Sequence, residues 1–304
     1  MSRAIPPSAP ASQNVLSALA VYARMRVLIV LLLGFASGLP LALSSSTLAI
    51  WLADSKVDLA TIGLLLLAGL PYTFKFFWAP LVDALRIPVL SKLLGRRRAW
   101  LVVSQLLLMA AILWLASLDP MTAPLAVGLG ALMVALASAT QDIVIDAFRI
   151  ESLDQDEQAA GMASYVAAYR VALLVSGAGA IAFTSWLEAR GIGKAEAWRL
   201  AYVGCAGLGI LGLAAALFAK EPRLQPTSAR DAQSDAAEEN IFSRVIDTTI
   251  GAFRSFLSKD AAIIVLIFVI AFKLCDALAG TMTGPFVLQI GYDNETCARV
   301  GLWR

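Results

Sequence analysis

Seven long apolar stretches separated by polar segments dominate the chain: Val27 to Trp51, Leu59 to Leu81, Trp100 to Leu118, Ala123 to Phe148, Ala159 to Leu187, Ala197 to Phe218 and Ala261 to Ile290. The hydrocarbon core of a bilayer takes about 20 mostly apolar helical residues per crossing. The pattern therefore predicts an all-α membrane protein, with the longer fourth, fifth and seventh stretches tilting or projecting from the bilayer. After the sixth stretch the chain turns polar and acidic through Glu221, Pro222, Pro226, Thr227, Glu238 and Glu239, a composition that favours disorder. From Ile241, apolar residues Val245, Ile246, Ile250, Phe253 and Leu257 return at helical spacing, with Arg244, Asp247 and Arg254 falling elsewhere. This predicts a short helix that lies on the membrane surface or packs on the spans.

The organisation expected from this pattern is an N-terminal tail over 1–26, a six-helix transmembrane bundle over 27–218, a linker with an amphipathic helix over 219–260, a seventh transmembrane helix over 261–290 and a polar tail over 291–304. Six spans, a long linker and a seventh span match the first half and hinge of a twelve-helix transporter made of two similar bundles. The expectation is a chain that ends where an eighth helix begins and does not transport alone. A partner chain supplying a second bundle, or a role as a non-transporting assembly subunit, are the alternatives.

Composition agrees with lipid as the main solvent. Counted with glycine and without tyrosine, the apolar share is roughly 64%, against roughly 45–50% in soluble domains. Charged residues make up 15% against about 25%. A net charge of +2 marks no polyanion-binding surface, so nucleic acid is not an expected partner. With no histidine among the 304 residues, Ser-His-Asp and typical zinc chemistry are disfavoured; no cofactor, metal or enzymatic activity is expected. The three cysteines are scattered and outline no disulfide framework. The first apolar run exceeds a signal-peptide core and is expected to stay in the mature protein.

Lysine and arginine set orientation. With the N-terminus inside, the internal segments hold about 15 of them and the loops after the first and fifth spans about 4. A cytoplasmic N-terminus is expected.

Charges at membrane depth are costly and mark cavities or pathways. Lys75 lies in the second stretch among Tyr72, Phe74, Phe76, Phe77 and Trp78; it either faces an aqueous cavity or snorkels to the interface. In the fourth, Gln141 precedes Asp142, and Asp142, Asp146 and Arg149 follow one helical stripe. They form either an ion network or a face opposing Lys75 or Arg170, with one carboxylate available to carry a proton. Tyr165 and Tyr169 stand one turn apart beside Arg170, whose guanidinium is expected to pair with Asp142 or to hold an anionic substrate. Lys273 and Asp276 are three apart in the seventh stretch, close enough to neutralise one another or to line the pathway. Gly34 and Gly38 permit close helix approach, and Gly-Leu-Pro at 38–40 and 69–71 is expected to bend or loosen both helices. Asp83, followed by Gly95-Arg96-Arg97-Arg98, suits either a conformational latch or a positive-inside anchor.

The Asp83 to Arg98 loop resembles the cytoplasmic motif of the major facilitator superfamily, with a longer insert. Gly34-Phe-Ala-Ser-Gly-Leu-Pro40, Phe74-Lys-Phe-Phe-Trp-Ala-Pro-Leu-Val-Asp83, Ala139-Thr-Gln-Asp-Ile-Val-Ile-Asp146 and Phe272-Lys-Leu-Cys-Asp-Ala277 together resemble the AmpG-like muropeptide permeases, related to the acetyl-coenzyme A transporters. The resemblance runs from about Val27 to Ile290. It implies a bacterial inner-membrane symporter that brings anhydromuropeptides into the cytoplasm with protons for cell-wall recycling. By position, Gly38, Lys75, Gln141, Asp142, Asp146, Arg170, Lys273 and Asp276 would belong to its polar pathway. Gln141 and Tyr169 would meet sugar hydroxyls and amides, and Lys75 or Arg170 carboxylates.

Overall fold

The computed structural model describes residues 20–85, 87–222, 251, 254, 257–258 and 261–289, with the description stopping at the backbone for 84 and 276–289. The chain divides into two units, Met1–Glu238 and Glu239–Arg304. Among the described residues there is no strand. Six helices there are long and apolar enough to cross a membrane: Met25–Asp54, Leu59–Phe77, Arg96–Ala116, Pro124–Ser152, Gln158–Glu188 and Lys194–Phe218, here called the first to sixth spans. All six belong to the first unit. Among the described residues, the second unit includes the helix Ala262–Gln289, which carries Lys273. The Asp276 side chain, the N-terminal tail, the last residues and most of the expected amphipathic helix lie outside what is described.

Several spans are irregular, for reasons written in the sequence. Pro40 sits inside the first span, whose first helical segment ends at Leu43 before a second starts at Ser46. Backbone carbonyls freed in an apolar setting need donors. Ser45 Oγ donates to the Leu41 carbonyl at 2.5 Å, and Ser44 Oγ adds a second donor at 2.9 Å to the Pro40 carbonyl, which also accepts from Ser44 N at 3.0 Å. The second span alternates α and 3-10 turns, with tighter turns at Leu66–Gly69 and Lys75–Phe77. Asp58 starts it by accepting from Thr61 N at 2.9 Å, and Pro71 and Pro80 occupy first-turn positions where no helical N–H is lost. The fifth span carries a π turn at Val175–Gly179; Thr47 of the first span donates to the Ser176 carbonyl there at 2.7 Å.

The first span is central, packing along the fifth and also on the fourth and sixth, while the third packs on the fourth and sixth. Gly34 and Gly38 explain the closest approach. A Cβ on Gly38 would lie 2.5 Å from the Tyr169 carbonyl oxygen, and one on Gly34 2.6 Å from that of Tyr165.

Most buried apolar side chains gather in two clusters stacked along the bundle, besides a smaller third of Val27, Val30 and Leu153. One, around Leu43, Trp51, Leu115, Val127, Trp198 and Tyr202, fills the half that ends at Asp54 and Lys194. The other, around Leu33, Val82, Leu101, Ile145 and Phe148, fills the half that ends at Arg96. In chain order, Ser37, Lys75, Gln105, Gln141 and Asp142 all fall between the members of the two clusters. A polar layer thus divides the apolar core.

Candidate functional site

The polar layer has two faces. On one, Gln141 of the fourth span is buried and donates through Nε2 to Gln105 Oε1 of the third span. Glycines on the sixth span make room for this pair: a Cβ on Gly209 would lie 3.0 Å from Gln105 Nε2, and Gly212 also abuts that side chain. Gln141 therefore sits at a helix-packing face.

The neighbouring residue points the other way. Asp142 Oδ2 lies 3.6 Å from Lys75 Nζ of the second span, and its Oδ1 accepts from Ser37 Oγ of the first span at 2.6 Å. Ser37 Oγ is also 2.9 Å from the Tyr165 hydroxyl of the fifth span. Asp142 is 14% exposed and Lys75 35%, so the carboxylate is enclosed while the ammonium reaches a more open side. One carboxylate thereby joins four spans. Trp78 Nε1 donates to Thr140 at 3.2 Å, fixing the second span against the fourth beside the pair. Tyr72 of the second span faces Ser44 of the first, their hydroxyls 3.4 Å apart. Lys75 begins the tighter 3-10 turn Lys75–Phe77 of the second span.

Of the other candidates, Arg170 is arranged differently from the expectation. Arg170 is exposed and does not pair with Asp142; Lys75 has taken that place. Asp146 turns to Arg149 one turn on, at 3.6 Å, and the Arg149 guanidinium lies over the Tyr165 ring, 5.9 Å from its centroid. Tyr169 stacks on Tyr165 at 6.1 Å. Lys273 belongs to the second unit and is described separately from this group.

A second charged constellation occupies the arginine end. Arg97 is 8% exposed and bridges Asp83 at 2.6 Å and Glu151 at 2.5 Å, tying together the short helix Ala79–Ala84 that follows the second span, the start of the third and the end of the fourth. Arg96 donates to the Asp83 carbonyl at 2.8 Å, and Arg98 to that of Leu217 at 2.6 Å. Glu221 caps the third span, its carboxylate accepting from Arg97 N at 2.9 Å and Arg98 N at 3.0 Å. Gly95 precedes them at φ +93, a backbone that side chains rarely adopt, and directly abuts the Glu221 carboxyl. The fourth span's 29 residues extend about 43 Å, beyond a core of about 30 Å, which carries Glu151 out to this polar end.

Sequence reasoning did not single out Ser37, Gln105, Glu151 or Glu221. Ser37 had a signal in its place between Gly34 and Gly38, and Glu221 in its place directly after the sixth span. Glu151 and Gln105 had none, since their partners are distant in the chain.

The family model described as Major Facilitator Superfamily matches residues 22–303. The chain belongs to the Major Facilitator Superfamily. Within that family it is 36% identical over 276 residues to the Anhydromuropeptide permease of Escherichia coli (strain K12), covering 90% of this chain and 51% of the relative. It is 32% identical over 280 residues to "Putative transporter AmpG 4" of Rickettsia conorii, covering 91% of this chain and 63% of that protein. An uncharacterized protein of Haemophilus influenzae is 32% identical over 277 residues, covering 90% and 60%. The chain thus spans about half to three fifths of the length of these relatives. An all-α membrane protein of the transporter family is the description that the helices and these likenesses share.

Proposed function

We propose that this chain forms the first bundle of a proton-driven importer of anhydromuropeptides, acting in a bacterial inner membrane with its N-terminus in the cytoplasm and its cavity completed by a second bundle. The observation that carries the reading is the enclosed Lys75–Asp142 pair across the second and fourth spans, in a chain whose relatives include a protein named for permeating this compound class.

The chemistry follows from charge balance. With Asp142 ionised the pair is neutral overall, which suits low dielectric. A proton on Asp142 leaves Lys75 without its counter-charge, and an uncompensated cation in the membrane is costly. A substrate carboxylate entering from the open side of Lys75 restores neutrality, so proton and anionic substrate occupy the site together. Deprotonation of Asp142 returns Lys75 to its internal partner and releases the substrate carboxylate. Arg97, Asp83, Glu151 and Glu221 hold one end of the bundle shut in one state, and their rearrangement accompanies the change of access.

Uptake of radiolabelled anhydromuropeptide into membrane vesicles carrying this chain together with a second bundle tests this reading. Uptake driven by an acid-outside gradient, abolished by protonophore and absent in Asp142→Asn, is expected. Uptake that ignores the gradient, or that persists in Asp142→Asn, would overturn it.

A further inference from the structure

We propose that Ser37 is the positioning residue for the Asp142 carboxylate, and that its hydroxyl makes Asp142 and Tyr165 one reversible hydrogen-bond chain across the first, fourth and fifth spans. This rests on the reading of Asp142 as the proton carrier. Ser37 is 1% exposed, so its hydroxyl must find protein partners. A hydroxyl has one proton to donate and can accept as well. Its proton goes to Asp142 Oδ1 at 2.6 Å. The 2.9 Å contact with Tyr165 is then donated by the tyrosine. The chain runs Tyr165 to Ser37 to Asp142 while the carboxylate is ionised.

A proton bound at Oδ1 reverses it. Asp142 becomes the donor, Ser37 Oγ accepts, and the Ser37 proton turns to the Tyr165 oxygen. No atom is gained or lost beyond the proton that Asp142 takes up. The other charged or titratable groups around Asp142 are Lys75 on Oδ2 and Tyr72 from the second span, Asp146 on its own span, and Tyr169 beside Tyr165 on the fifth. Arg149 lies over Tyr165 and Arg170 beside Tyr169. Ser37 is the group on the first span that hydrogen-bonds the carboxylate.

The surrounding backbone holds this geometry tightly. Gly34 and Gly38 on either side of Ser37 bring the first span against the Tyr165 and Tyr169 backbone with no space for a Cβ. Ser37 therefore cannot drift from Tyr165, and a change in the charge of Asp142 reaches the fifth span through one hydroxyl.

Acid-minus-neutral infrared difference spectra of the whole protein in lipid nanodiscs test the inference independently of transport. A protonated-carboxyl C=O band, lost in Asp142→Asn, is expected in the unsubstituted protein. Ser37→Ala should keep that band but shift its frequency, since its hydrogen bond is gone. Tyr165→Phe, which guards against misfolding of the first variant, should shift it as well, and the double variant should move it no further than Ser37→Ala. In vesicles Ser37→Ala should lower the maximal uptake rate about tenfold with unchanged apparent substrate affinity. A band unmoved by Ser37→Ala overturns the inference while leaving Asp142 as proton carrier. No band sensitive to Asp142→Asn overturns the carrier reading, and the inference with it.

Discussion

Asp142 shows how much one side chain's surroundings decide. Its carboxylate is compensated by Lys75 at 3.6 Å and by the Ser37 hydroxyl. Removing one partner of an enclosed pair costs more than removing both, because the survivor keeps an unbalanced charge. Lys75→Ala is expected to lower stability by about 1–3 kcal/mol, discounted because the ammonium is partly solvated. The double variant Lys75→Ala/Asp142→Ala should recover part of that loss. Thermal unfolding in detergent reads both, and a double variant less stable than Lys75→Ala would contradict the pairing. Gly38 makes a separate case. Its missing Cβ would meet the Tyr169 carbonyl and Ala172 Cβ at 2.5 and 2.9 Å, neither at the end of a flexible side chain. Gly38→Ala is expected to cost about 1–3 kcal/mol as the two spans are pushed apart, measured by the same unfolding experiment.

At the scale of elements, the start of the third span is held by groups from three directions. Gly95 takes a backbone region essentially reserved for glycine, so Gly95→Ala should cost about 1–3 kcal/mol. Glu221→Ala removes the cap on Arg97 N and Arg98 N and should cost about 1 kcal/mol. Hydrogen exchange should quicken at the first turn of Arg96–Ala116 in Glu221→Ala while the far end of that span is unchanged. The turn between the fourth and fifth spans has its own tether: Arg24 reaches Asp156 at 2.8 Å and Glu157 at 2.9 Å, and Arg26 reaches Asp154 at 2.6 Å. The hydrogen bond from Arg24 holds the Asp156 carboxyl below its ordinary value. Its contribution is therefore present above about pH 3.9 and lost as pH falls through the lowered value. The difference in thermal midpoint between the protein and Asp156→Asn should shrink from pH 7 towards pH 3. A constant difference would mean that the Arg24 contact adds nothing.

For the whole molecule, the charge distribution and the helix order make one claim about orientation. Asp83, Arg96, Arg97, Arg98, Glu151 and Glu221 gather at one end. Asp54, Lys194 and Trp198 meet at the other, with Lys194 Nζ 2.6 Å and Trp198 Nε1 2.9 Å from the Asp54 carboxylate. A cysteine introduced at Lys92 should react with an impermeant thiol reagent only after the membrane is opened, whereas one at Gly191 should react from outside in intact cells. The reverse pattern would overturn the proposed cytoplasmic placement of the N-terminus.

The six apolar helices were legible from the chain because a bilayer imposes a length and composition that no tertiary contact needs to supply. The same local chemistry announced the loosened second span, through Gly69 and Pro71, and the break after Pro40. Lys75 and Asp142 were legible as costly charges, since the penalty for a charge at membrane depth belongs to the residue itself. Lys75 was one of the two cations expected to face Asp142; the Ser37 hydroxyl as a further partner was not legible. A one-residue step along a helix turns a side chain by about 100°, so Gln141 and Asp142, adjacent in sequence, serve opposite faces of the fourth span. The crossing of the first and fifth spans, drawn together at Gly34 and Gly38, set Ser37 beside Tyr165, and Lys75 rather than Arg170 took the ionic contact with Asp142. The sequence by itself determined that this protein lives in lipid and keeps charge at its centre. The tertiary structure decided how that charge is shared, because hydrogen bonds of 2.6 and 2.9 Å depend on helix positions that no single stretch of chain specifies.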